Sequence, residues 1–271
     1  MKFLAVLFCS CLILVSGRRY WHRSRNAEPV VASYWNQLTV TWLRWDSLPL
    51  TVNDALKNGW TLQDECRDSS YFRGNRYTLN GDKTVMLLFD ADNKIAGLQT
   101  GITKSDVNFK SWPWREENDT FVVTAYFKDP SQICSKRSSS SWNIGDRLLL
   151  LNGTSPQEFV QAPSNEAGLE GSAWTEGQCV WTMGKLYWYD LVSVSDCNSL
   201  FPVFLMYTNE VLNGFGWILP YKNENPRFVH ATNASFPNLF KNGTIPSCFW
   251  NTSHLSLMHV YLDSYPFMNI C

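Results

Sequence analysis

The chain carries no compact catalytic signature. It has no GxSxG elbow, no HExxH pair, no phosphate-binding loop and no dinucleotide fingerprint. Enzymes built on those motifs are excluded. A hydrolase assembled from distant residues is not, because such triads are defined by geometry and not by order. Histidine is scarce, with four residues at His22, His230, His254 and His259. Asp190 or Asp263 could orient His230 or His259 in such a dispersed site. No CxxC pair occurs and no Cys/His spacing fits a zinc site, which argues against metal and redox chemistry and leaves no cofactor to expect. Asp90-Ala91-Asp92-Asn93-Lys94 fails the EF-hand pattern, because Ile95 stands where glycine is needed. It reads as a hairpin turn. Neither charge sign dominates, with 23 Lys and Arg against 24 Asp and Glu. Four of the arginines (Arg18, Arg19, Arg23 and Arg25) crowd together, so the rest is mildly acidic and lacks the footprint of a nucleic-acid binder.

Long apolar runs are also missing after the first residues. Met1-Lys2 precedes an apolar stretch from Phe3 to Val15, broken by Ser10 and followed by Ser16-Gly17. That stretch is shorter than the ~20 residues a membrane span needs. Residues 1–17 therefore read as a signal peptide, residues 18–37 as a basic tail, and the mature chain as secreted with no membrane span. Five sequons agree with export, at Asn118, Asn152, Asn233, Asn242 and Asn251. Without Cys9 and Cys11, six cysteines remain: Cys66, Cys134, Cys179, Cys197, Cys248 and Cys271. An even number in an exported chain implies disulfides.

What is present in quantity is a repeat. Val85-Met86-Leu87-Leu88-Phe89, a turn and Ile95-Ala96-Gly97-Leu98 return as Val203-Phe204-Leu205-Met206-Tyr207, a turn and Leu212-Asn213-Gly214-Phe215. Upstream, Trp60-Thr61, Cys66, Gly74 and Tyr77 are answered by Trp174-Thr175, Cys179, Gly184 and Tyr187. Downstream, Pro130–Cys134 is answered by Pro246-Ser247-Cys248. The spacing implies two related units, 38–155 and 156–271. Equivalent bonds within each unit would be Cys66–Cys134 and Cys179–Cys248, with Cys197–Cys271 left over. Cys66–Cys179 with Cys134–Cys248 is the equally symmetric alternative.

The segments around these landmarks are rich in β-branched and aromatic residues and are bounded by turn residues, hence strands. Thr51 can cap a short helix over 52–57, and Ser155-Pro156 can open another over 157–161. Residues 162–172 gather Pro163, Ser164, Gly168 and Gly171 and read as the linker. The fold expected is mainly β with some short helices: two tandem, internally duplicated antiparallel β domains tied by disulfides.

Thirteen tryptophans stand out. Trp60 and Trp174 recur between units and read as core. Trp112 and Trp114 have no clear partner in the second unit, and Trp188 can face away from its domain core. These three are the candidate ligand-binding residues. The function expected is a secreted, N-glycosylated, non-enzymatic binding protein that uses exposed aromatics to take a glycan, a lipid or an extracellular protein. A secreted hydrolase with a dispersed His/Asp site and a structural extracellular-matrix or egg-type protein are the alternatives.

Overall fold

The computed structural model describes residues 35–67, 71–107, 113–135, 144–252 and 254–271. The expected signal peptide, most of the basic tail and Trp112 lie outside these residues. The chain is mainly β, with two antiparallel sheets of eight strands each. The first comprises β3 (Trp60–Asp64), β4 (Asn75–Leu79), β5 (Asp82–Phe89), β6 (Ile95–Thr103), β7 (Arg115–Glu117), β8 (Thr120–Tyr126), β9 (Leu148–Leu151) and β10 (Phe159–Ala162). Its order is β10-β9-β8-β6-β5-β4-β3, with β7 also on β8. The second comprises β11 (Trp174–Val180), β12 (Gly184–Tyr189), β13 (Val203–Thr208), β14 (Val211–Leu219), β15 (Val229–Ala231) and β16 (Leu255–Tyr261). It is completed by β1 (Thr39–Val40) and β2 (Asp46–Ser47). Its order is β11-β12-β13-β14-β16-β1-β2, with β15 also on β16.

The two orders are the same walk, and the ladders agree residue by residue. Tyr77 pairs with Leu87 and Leu87 with Leu98, as Tyr187 pairs with Leu205 and Leu205 with Phe215. Gly97 pairs with Tyr126 as Gly214 pairs with Tyr261. Both glycines are fixed by close backbone approach. A Cβ at Gly97 would lie 2.6 Å from the Ala125 carbonyl oxygen, and one at Gly214 would lie 2.5 Å from that of Val260.

The halves do not follow one another in sequence as expected. Tyr126 pairs with Leu149, and its counterpart Tyr261 pairs with Thr39. So β1 and β2 match β9 and β10, but they close the second sheet and not the first. The segment read as a second helix, 157–161, largely becomes edge strand β10, paired to β9 from Phe159 to Ala162. Ser155-Pro156 offers a cap, but Phe159-Val160 supplies the bulkier residues that fit a pleated surface. The first helix forms as expected: α1 (Val52–Lys57) starts where the Thr51 side chain accepts from the Asp54 N–H. Trp35, placed in the tail by the sequence, is buried, and its Nε1–H donates to the Leu212 carbonyl at 3.0 Å.

Alternate residues of the central strands meet between the sheets. Val85, Leu87 and Phe89 from β5 and Phe121, Val123 and Ala125 from β8 share one core with Val203, Leu205, Tyr207, Phe215, Trp217, Met258 and Val260. Each Val, Leu, Phe and Met side chain among them contributes about 1.5–3 kcal/mol on burial. The intervening residues are buried too, under different covers. On the second sheet Trp188, Phe204, Met206 and Ile218 lie beneath Phe236, Phe240 and Phe249. Phe236 and Phe249 come from the 3-10 turns Asn233–Asn238 and Ser247–Asn251, and Phe240 follows the first of them. The same row of the first sheet is polar apart from Met86. Thr78, Met86, Gln99 and Thr124 stand where Trp188, Phe204, Gly216 and His259 stand in the second.

All six cysteines among the described residues are bonded, and two pairings differ from the expected scheme. Cys66–Cys134 forms as read, with Cα atoms 5.6 Å apart. The other bonds are Cys179–Cys271 and Cys197–Cys248, at 6.0 and 5.7 Å. Equivalent halves do carry equivalent bonds, but Cys134 matches Cys271, not Cys248. Each follows the last central strand of its half past a short proline-started turn, α2 (Pro130–Ile133) or Pro266–Met268. Cys248 precedes β16 and lies in the cover of the second sheet, which it ties to the β12–β13 connection through Cys197. The likeness of Pro130–Cys134 to Pro246–Cys248 is therefore local only.

Peptide mapping without reduction should yield these three pairs and no Cys179–Cys248 peptide. The bonds close sequence separations of 68, 92 and 51 residues. Loss of any one should lower stability by about 4 kcal/mol in denaturant unfolding.

Candidate functional site

A cleft of about 790 Å³ opens where the β1–β2 hairpin, α1 and the β4–β5 turn meet the loop 225–227. Local sequence shapes each wall. Asn80 and Gly81 have φ of 54° and 74°, a two-residue turn of the kind that matches strand twist. It leaves Leu79 and Asp82 at the rim. The hairpin turn before β2 puts Thr41, Leu43 and Trp45 at φ of 74°, 63° and 48°. This left-handed backbone costs non-glycine residues roughly 1–2 kcal/mol each. Contacts offset the cost. Trp42 Nε1–H donates to Thr182 Oγ1 at 2.8 Å, and the Trp45 ring meets Phe267 edge-on at 6.2 Å.

The cleft floor is apolar, made by Val40, Leu48, Leu50, Trp60 and Leu79. Its rim is charged but internally matched. Arg44 bridges to Asp46 at 2.9 Å and donates to the Pro226 carbonyl at 3.2 Å. Arg227 bridges to Asp82 at 2.5 Å. Burial raises the Asp82 pKa, but hydrogen bonds from Thr84 and the Arg227 charge outweigh it, so the carboxyl is held below its ordinary value. Asn225 Nδ2 donates to Thr84 Oγ1 at 2.9 Å and pins the loop of one half onto the other.

The second half shows what this place looks like when filled. Trp174 and Tyr189 occupy the register positions of Trp60 and Leu79. Tyr189 packs on Trp174 at 5.0 Å and on Phe201 at 4.6 Å. Phe201 comes from the connection 190–202, which replaces the two-residue Asn80-Gly81 turn. The contrast between a short Asn-Gly turn and a long connection could have been read in the sequence, but only after the strands were aligned.

The residues singled out as ligand-binding are not assembled into a site. Trp114 is buried in the core between the sheets. Trp188 is 1% exposed, its ring tilted against Phe240 at 4.5 Å and its Nε1–H on the Leu239 carbonyl. The outer sheet face is not spare, because the cover 233–251 occupies it. Trp112 lies outside the described residues. Of the sequon asparagines, Asn118, Asn233, Asn242 and Asn251 are exposed and Asn152 is half-buried.

Asp190 and Asp263 do not orient a histidine. The Asp263 carboxylate accepts from the Tyr265 N–H and Asn269 Nδ2. His230 Nδ1 lies 3.2 Å from Ser256 Oγ, but that hydroxyl is buried and donates to the Tyr221 carbonyl. His259 is buried against Trp42 and Phe204, and burial pushes its pKa down to about 3. Among the described residues no group of three or more His, Cys, Asp or Glu could hold a metal ion, and no helix is long and apolar enough to cross a membrane. No protein-family model matches the chain, and no curated protein or solved structure matches it either.

His259 gives the fold a pH dependence of definite sign. Above the ordinary histidine pKa of about 6.5, both folded and unfolded states are neutral there. Below it the unfolded chain takes up a proton that the folded chain refuses, so stability falls until about pH 3. The loss from this group between pH 7.5 and pH 5 should be about 2 kcal/mol. His230, also lowered, first by burial and then by Lys222, acts in the same direction. Asp263, raised by burial, acts in the opposite one. Urea midpoints at the two pH values should converge in His259→Leu relative to the parent.

Proposed function

We propose that the chain is a secreted, N-glycosylated binding protein that holds a neutral, hydroxyl-rich ligand, a carbohydrate segment, in the cleft beside α1. The single observation that carries this reading is the asymmetry of the duplicated scaffold. Folding does not require the cleft, since the second half fills the same place with Tyr189 and Phe201. The ligand class follows from the rim chemistry. Arg44, Asp46, Arg227 and Asp82 neutralise one another, so an ionic ligand would have to break an existing pair. Carboxylate, amide and hydroxyl groups at Asp46, Asp54, Asn58 and Ser47 offer hydrogen-bond directions to hydroxyls above an apolar floor. The three disulfides and the exposed sequons support an extracellular setting.

A neutral-glycan array followed by calorimetry on the best oligosaccharide tests the reading. Leu79→Tyr copies the filled half and should weaken binding at least about tenfold while shifting the melting temperature by only a few degrees. Equal binding by this variant, or a parent that captures only charged or wholly apolar ligands, would overturn it.

A further inference from the structure

Six large apolar side chains stand together at one end of the second sheet, outside both cores. Leu43, Trp181, Tyr265, Phe267, Met268 and Ile270 are 47–65% exposed. Three segments bring them there, and the segments are fastened to one another. Cys179–Cys271 joins two of them, and the Thr182 N–H donates to the Asn269 carbonyl at 2.9 Å. Trp42 and Trp45, on either side of Leu43, hold the hairpin turn to Thr182 and Phe267. Tyr265 packs edge-on against Phe267 at 5.9 Å.

The duplicated scaffold again supplies an internal control. After the equivalent strand of the first half, α2 also begins with proline and leads to the equivalent cysteine. Its exposed residues after the proline are Ser131 and Gln132, where the second half has Phe267 and Met268. The hairpin turn matching Leu43 carries Thr154, Gln157 and Glu158, all exposed, beside the sequon at Asn152. At these two turns the first half therefore presents mostly polar residues; its exposed aromatics at this end, Phe159 and Tyr71, do not form a cluster of six, and Tyr71 lies under Arg115, so the fold alone does not account for the apolar ones.

We propose that this face is the interface between two copies of the chain, paired about a two-fold axis. In such an isologous contact the patch meets itself, so any net charge would be set against the same charge. Residues 180–183 and 264–271 contain no Asp, Glu, Lys or Arg, and Arg44, next to Leu43, is engaged with Asp46. None of the five sequons falls in the three segments, so glycans leave the face open. The size also fits. At roughly 150–250 Å² for a large side chain, the exposed fractions amount to on the order of 600 Å². That is near the ~800 Å² each partner contributes to a standard interface, and it reaches the top of the ~300–600 Å² range for the largest patch on a typical monomer. Trp, Tyr, Phe and Met are the residues enriched at such contacts.

Sedimentation velocity on the disulfide-intact, glycosylated protein from about 1 to about 100 µM tests the proposal. The parent should sediment as a dimer over the upper part of that range. Phe267→Ser with Met268→Gln, which restores the first half's residues, should weaken the dimer at least about tenfold with little change in melting temperature. Trp181→Ser, on a different segment, should do the same independently and covers the case in which the double variant fails to fold. Leu56→Ser, an exposed apolar change on α1, should leave the dimer intact. A parent that stays monomeric throughout would sink the proposal. Dimers that persist in both patch variants would place the interface elsewhere. A monomer that co-floats with phosphatidylcholine vesicles through Trp181 and Phe267 would assign the patch to lipid instead.

Discussion

The pairing of Thr39-Val40 with Val260-Tyr261 is the contact on which the rest of the molecule depends. It joins the two ends of the described chain, and beside it Ser264 Oγ donates to Asn36 Oδ1 across 228 residues. Without it β16 would keep an open edge, Val40 would leave the shared core and Trp35 would lose the Leu212 carbonyl. Pairing at such separation carries a large loop-closure cost before any contact rewards it, and so belongs late in folding. The disulfide Cys179–Cys271 shortens the search by fixing the end of the chain to β11, on the far side of the same sheet.

Two copies of one strand order share a core, and they differ in how the other sheet faces are satisfied. The second sheet places Trp188, Phe204 and His259 in a row and covers them with its own aromatics. The first places Thr78, Gln99 and Thr124 there, and Gln99 Nε2 donates to Thr124 Oγ1 at 2.8 Å. A second contrast follows the same logic. Asp90 in the first half is buried and bonded to Lys128 at 2.7 Å, while also accepting the Asp92 and Lys94 N–H groups. Its register counterpart is Thr208, and that of Lys128 is Asp263, which is met by asparagine and backbone N–H groups instead. Each half meets its buried carboxylate with partners of its own, so the halves could diverge here without disturbing the core between them.

The sequence revealed the strands and their correspondence because both rest on period-two burial and on glycines at fixed contacts. Gly97 and Gly214, Tyr77 and Tyr187, and Trp60 and Trp174 match in the structure as they match in the text. Chain closure was not readable in the same way. Leu38–Val40 resembles Leu148–Leu151 whichever sheet it joins, because local pattern specifies a strand and not its neighbour. Cys248 resembles Cys134 in sequence for a related reason: a Pro-Ser start and a cysteine are shared, while position relative to the last strand is not. The aromatics misled because exposure depends on the cover. Trp188 faces away from the shared core, as its parity requires, but residues 233–251 reach it from far along the chain.

The cleft was hidden for another reason: a site of this kind consists of something left out. No motif marks Leu79 or Ser47, and the space beside them exists because Asn80-Gly81 turns at once where the other half inserts Phe201. The hairpin that ends this space also carries Leu43 to the opposite, apolar end. Its turn holds three left-handed residues that would not adopt this backbone unaided. Trp42 on Thr182 and Trp45 on Phe267 hold it in place. The wall of the cleft at Asp46 and Ser47 is thus set by the packing of the preceding turn on Thr182 and Phe267. Replacing Phe267 loosens one anchor of that turn and leaves the other, because Trp42 is fastened to β11–β12 and not to the segment 265–268.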